Sequence, residues 1–263
     1  MTSVPTSMPP PAAAALRVFH IAAEQFRELD GLPEALPPAG FLWVAWSRGA
    51  FADRHPETQA ALQRWGLGPL VDLHVSDLLN VQLPSHFDDT SWYDLLIFRR
   101  LATTAAPPPN GAPPAGRVDK HTAHVALESV RTTPVGFAVY DRLLLTVHPE
   151  DCLLREFFVQ RWTTLAPAGD VRGSARLPAG PADQMLRMVN HVVDGYLELR
   201  RLLSRQLGTL QQQLLDPRYR FADWTAVLDS RTALHQLEDT SEDQRAAIQE
   251  WIDAMDEWPD EPD

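Results

Sequence analysis

The side chains able to do chemistry in this chain are dispersed along it. In His86-Phe87-Asp88-Asp89 two carboxylates stand side by side just ahead of a strand. Adjacent carboxylates repel one another unless solvated or neutralised, and hard cations take such oxygen ligands. An exposed loop is the plainer account. A second acidic group, Asp253, Asp256 and Glu257, lies near the C-terminus. His121 and His124 are three apart, a spacing that shares a metal on a helix but not in a strand or loop, and no Cys or further His adjoins them. Asp72, His74 and Asp77 read as a helix entry rather than a ligand set. His148 reads as a strand-end residue, and Asp194 as an ion-pair partner for Arg187 or Arg200. Cys152 is the single cysteine, so no intrachain disulfide can form. It reads as a small apolar residue near a helix start rather than a nucleophile. The sequence has no G-x-S-x-G, no P-loop and no G-x-G-x-x-G, and nothing in it indicates an enzyme.

Composition narrows the class. At 263 residues and 44% hydrophobic, the chain can bury a sizeable core. The net charge is −12, and its placement is uneven. From Asp216 to Asp263 there are fourteen Asp/Glu against four Arg, a net of −10, which leaves −2 for the remainder. A phosphate backbone needs a basic surface, so nucleic acid is not an expected partner, whereas cations are permitted. The N-terminus lacks the pattern of a signal peptide, and no run approaches the length of a membrane span.

These residues must be positioned by elements of two kinds. Residues 1–14 are Pro/Ala-rich and read as a disordered tail. Strands are expected at Leu16–Ala22, Gly40–Arg48, Ser91–Ala102 and His124–Thr132. Two further short strands flank Asp141-Arg142 as a hairpin. Leu143–Val147 is apolar on both faces, as in a central strand covered on both sides. Pro149 ends that strand and enters the first turn of a helix, whose N-terminal dipole suits Glu150 and Asp151. A further helix is expected at His55–Gly66, with Pro56 near its start, and a short helix or turn at His74–Asn80. Residues 103–116 hold five prolines and read as a long exposed loop. After Pro181 the pattern changes. Met185, Val189, Val192, Tyr196, Leu199, Leu203, Leu207, Leu210 and Leu214 mark one amphipathic helix of about 50 Å, stopped at Asp216-Pro217. A helix over Asp223–Asp239 follows. A third opens at Ser241, where Ser241-x-x-Gln244 has the form of a capping box. The expected fold is α+β. A sandwich with a mixed sheet over 15–180 is followed by a long-helix stalk over 181–263.

The order of these pieces resembles the cytoplasmic part of the CorA family of divalent-metal transporters, including its ZntB branch. The resemblance is carried by His74–Leu101, Val135–Asp151 and Met188–Leu215, the last with Asp194 and Tyr196, and it extends over most of residues 16 to 258. The family's Gly-Met-Asn signature and its two membrane spans are absent from the sequence. The resemblance therefore implies a soluble cytoplasmic fragment of a larger protein at the inner face of the cell membrane. It also implies a homopentamer in which metal bound between subunits regulates the gate. A divalent cation, Mg or Zn, would be both ligand and transported ion, without an organic cofactor. On that reading Asp88 and Asp89 from the sandwich, and Asp253, Asp256 and Glu257 from the last helix, are the candidate metal contacts. Clustered carboxylates would concentrate cations at the pore mouth. The alternatives are a stand-alone helical adaptor or regulatory binding protein, and an α/β enzyme with a helical extension.

Overall fold

A computed structural model describes residues 15–102, 131–165, 176–215 and 224–256. The tail at 1–14, the proline-rich segment 103–116, His121, His124, Glu257 and Trp258 lie outside the described residues, as does most of the strand expected at His124–Thr132.

Seven strands form one sheet: β1 (Leu16–Ala22), β2 (Gln25–Leu29), β3 (Phe41–Ser47), β4 (His86–Asp89), β5 (Asp94–Leu101), β6 (Thr132–Val139) and β7 (Leu143–His148). Their order is β2-β1-β3-β7-β6-β5-β4. Only β3 and β7 run parallel, and the other neighbours are antiparallel. The sheet is therefore mixed, with its parallel pair near the centre. All residues of β3 and β7 are buried, as continuous apolar runs require when both faces are covered.

Strand periodicity sorts the side chains into two cores. Val44, Trp46, Leu95, Ile97, Leu143 and Leu145 face α1 (Arg48–Arg64) and α2 (Asp72–Leu79). Trp43, Leu96, Phe98, Phe137 and Leu144 face α3 (Leu153–Leu165), α4 (Pro181–Leu215) and α5 (Trp224–Asp256). The result is a three-layer α/β/α sandwich, and the expected α+β class holds. Met185, Val189 and Val192 of the long stripe, with Met188 beside them, fill the sandwich core. Farther along α4, Leu199 and Leu203 meet Ala233 and Leu237 of α5, so the two long helices pack antiparallel past the sheet.

Several local expectations are corrected. His86–Asp89 is an edge strand paired with β5 rather than a loop, and β2 forms where no strand was expected. α1 starts at Arg48, and Pro56 lies inside it. Proline removes the N–H that would reach the carbonyl of Ala52, and that oxygen is instead 3.3 Å from His55 Nδ1. α5 is one helix through residues 240 and 241, so no capping box forms there. Thr240 Oγ1 donates back to Gln236, and Gln244 is turned to the sheet. Pro149 precedes the helix by a turn that carries Cys152 at φ 46°. Glu150 accepts the Gly49 N–H at 2.7 Å, so it complements the N-terminus of α1 rather than of α3. Arg187 pairs with Asp183 one turn back, not with Asp194.

Gly40 introduces β3 at φ +71°, and a Cβ there would lie 2.1 Å from the Ile21 carbonyl oxygen. The left-handed conformation alone costs a residue with a Cβ about 1–2 kcal/mol. Gly40→Ala is expected to lower unfolding stability by about 2 kcal/mol or more, read as a fall in the urea midpoint at unchanged m-value.

Candidate functional site

The candidate acids meet the structure at its β4 edge. Successive residues of a strand point to opposite faces, so Asp88 and Asp89, adjacent in sequence, are parted by the sheet. Asp88 points toward α2. Its Oδ2 accepts from His74 Nε2 at 2.9 Å, and its Oδ1 takes the Asp89 N–H at 2.9 Å. His74 is buried, and its Nδ1 lies 2.8 Å from the Tyr93 hydroxyl, which also accepts the Val71 N–H at 3.0 Å. With Nε2–H given to Asp88, Tyr93 donates to Nδ1. A directed chain of hydrogen bonds thus runs from the start of α2 to the edge strand.

Asp89 points the other way, toward α5, and stands directly opposite Asp94 of β5. Like charges at a cross-strand pair are unfavourable. The Asp94 carboxyl is pushed above its ordinary range, first by burial, then by the Asp89 charge, with Asp141 adding to it. A hydrogen bond from the Trp251 side chain partly offsets this. Asp94 and Asp141 were not among the expected site residues. Their proximity to Asp89 depends on strand register, which single residues do not reveal.

Asp253 follows Trp251 by two positions, about 200° around the helix. It is exposed and accepts from Gln249 Nε2 at 2.7 Å. Asp256, the last residue of α5, is also exposed. Asp253 therefore faces away from Asp89 and Asp94. Among the described residues no three His, Cys, Asp or Glu side chains stand together in positions to hold a metal.

The two long helices are hung on the same edge. β4 begins opposite Ile97, so at Arg99 the edge of β5 has no strand partner on that side. The Arg99 N–H donates to Ser85 Oγ, and its carbonyl accepts from both the Tyr196 hydroxyl of α4 at 2.9 Å and Gln244 Nε2 of α5 at 2.7 Å. At the same end of the sheet, His148 of β7 is fully buried among Arg48, Arg100 and Arg155, and burial with those charges holds its pKa well below the ordinary value. Burial raises the Cys152 thiol to about 11, and its S–H donates to the Pro149 carbonyl. A thiol so held is protonated at neutral pH and is no nucleophile.

No protein-family model and no curated protein matches the sequence. Solved structures do match the fold. The ZntB cytoplasmic domain from Vibrio parahaemolyticus RIMD 2210633 aligns with a TM-score of 0.54 at 14% identity, over 92% of this chain and 80% of that one. The soluble domain of CorA from Methanocaldococcus jannaschii aligns at 0.50 and 12% identity, over 90% and 92%. The full-length CmaX protein aligns at 0.51 and 13% identity, over 92% and 75%. The chain thus has the fold of CorA/ZntB-like soluble domains. No helix among its described residues is long and apolar enough to cross a membrane.

The Asp94 carboxyl gives a pH prediction. A carboxyl whose folded pKa is raised binds its proton more tightly when folded. Stability therefore falls as pH rises from the ordinary carboxylate value, 3.8, through the raised one. The penalty is complete once pH exceeds the raised value. Asp94→Asn keeps an acceptor for Trp251 and removes the charge. It is expected to melt at higher temperature than wild type at pH 7, with the difference shrinking toward pH 4 and vanishing below it. The shared Arg99 carbonyl gives another. Gln244→Ala is expected to speed amide hydrogen exchange in the middle of α5 while leaving β3 and β7 unchanged.

Proposed function

We propose that this chain is the cytoplasmic domain of a divalent-cation transporter, with residues 15–180 forming its sandwich and 181–263 its stalk. Its work there is cation sensing, self-association and gating rather than catalysis. The observation that carries this reading is architectural. A three-layer sandwich extended by two antiparallel helices of 35 and 33 residues is shared over nine-tenths of the chain with the ZntB and CorA domains. CorA of M. jannaschii is described as a magnesium transporter, which supports a hard cation as ligand and cargo, with zinc as the counterpart from ZntB. On this reading the acids exposed on α5, Asp253 and Asp256 with Glu257 beyond, meet Asp89 of a neighbouring copy in a homopentamer. A cation between them relieves their repulsion. Asp88 contributes through His74 rather than as a free ligand.

A second reading, a helical adaptor, draws on exposed apolar side chains. Leu186, Val193 and Leu197 stand out along α4. A groove of about 460 Å³ between α4 and α5 is lined by Leu207, Val227 and Leu234.

Cation titration separates the two. A ligand that binds only the folded state raises its melting temperature. The transporter reading expects millimolar Mg²⁺ or micromolar Zn²⁺ to raise the melting temperature and to shift sedimentation toward larger species. Asp89→Asn with Asp253→Asn is expected to weaken both responses. A change below about 1 °C with either ion, and no change in sedimentation, favours the adaptor.

A further inference from the structure

A second histidine–carboxylate pair bridges α2 and β4 beside His74 and Asp88, and its geometry differs. His86 Nε2 faces Asp77 Oδ2 at 3.8 Å, beyond hydrogen-bonding distance. The other ring nitrogen, Nδ1, lies 3.4 Å from the Pro84 carbonyl oxygen, which can only accept. In the tautomer that donates from Nδ1 to this carbonyl, the Nε2 lone pair is turned toward an anionic oxygen. A lone pair and a carboxylate repel unless something positive sits between them. Zn–N and Zn–O bonds of about 2.0–2.2 Å place two ligand atoms of one ion roughly 3–4 Å apart, and the observed separation falls in that interval. A backbone carbonyl holding the far nitrogen is the arrangement that orients a metal-binding histidine.

We propose that Asp77 and His86 form a two-point site for a borderline transition-metal ion, Zn²⁺ in the first instance, with water completing the coordination. Imidazole with carboxylate favours such an ion over Mg²⁺, which takes oxygen ligands. Both side chains are partly shielded, at 18% and 30% exposure, and come from different elements. The contrast is His235 and Glu238, an exposed pair one turn apart on a single helix, at 61% and 71%. The ion would staple the edge strand to α2. Because α5 packs on the other face of β4, the staple bears on the strand that supports the long helix. Metal binding here stands on the geometry of one chain. Its use in sensing rests on the transporter reading.

The test is Zn²⁺ binding by the purified chain, measured by calorimetry and by thermal melts, with MgCl₂ as the comparison ion. His86→Ala and Asp77→Asn are each expected to weaken the strongest Zn²⁺ event by about tenfold or more. His235→Ala is expected to leave it unchanged, and Mg²⁺ is expected not to compete for it. Melts without metal establish that each variant is folded. Should one fail to fold, the other carries the test, because either loses one of only two ligands. Unchanged Zn²⁺ affinity in a folded His86→Ala or Asp77→Asn overturns the site, and marks the pair as a protonated-histidine ion pair. A Zn²⁺ or Mg²⁺ response that survives both variants but falls with Asp89→Asn overturns this site while leaving the transporter reading intact.

Discussion

One backbone carbonyl ties the sheet to the long helices. β4 covers only part of the β5 edge, so the Arg99 carbonyl has no strand to receive it. A buried backbone oxygen left unpaired is costly. Here two donors from distant parts of the chain, Tyr196 and Gln244, converge on it. The Arg99 side chain consolidates the same point by donating to the carbonyls of Leu83 and Thr132, which fixes the chain entering β4 and the start of β6. Because α4 and α5 share one acceptor, neither can slide along the sheet without releasing it. The Leu199 and Leu203 contacts with Ala233 and Leu237 then carry the pairing onward.

The sequence reveals elements where one rule dominates. Leu143–Val147 is apolar on every residue, and only a doubly covered strand accommodates that. The α4 stripe repeats too regularly to be anything but a helix. Where two rules compete, local reading fails. Pro56 looks like a helix start because proline favours the first turn. Yet Ser47 already caps the helix nine residues earlier, its side chain accepting from Ala50. Ser241-x-x-Gln244 has a capping pattern, but Gln244 gains more from the Arg99 carbonyl, and the helix continues through it. Glu150 sits next to one helix in sequence and serves another in space, because the parallel pairing of β3 and β7 brings Ser47 alongside His148.

The candidate site was legible as composition and not as geometry. Asp88 and Asp89 drew notice because adjacent carboxylates repel. Strand periodicity relieves that repulsion by sending them to opposite faces, and the real conflict is Asp89 with Asp94. That conflict follows from the β4–β5 register, which turns on where a four-residue edge strand begins and ends. Asp253 likewise reads as one of a cluster on paper, while Trp251, two residues before it, decides which side of α5 meets the sheet.

Seen from β4, the two faces of the sheet are chemically distinct and mechanically joined. On the α2 face, the Asp88 carboxylate is matched with the His74 imidazole, whose Nε2–H it accepts. On the α5 face, carboxylate opposes carboxylate, and a single indole hydrogen bond provides the offset. On this second face a counter-charge would relieve the repulsion that raises the Asp94 carboxyl. Trp251 both hydrogen-bonds the raised Asp94 carboxyl and anchors α5 in the core. A strand only four residues long has few ladder bonds with which to resist. Charge at the edge and the seating of the long helix thus meet at one side chain, Trp251.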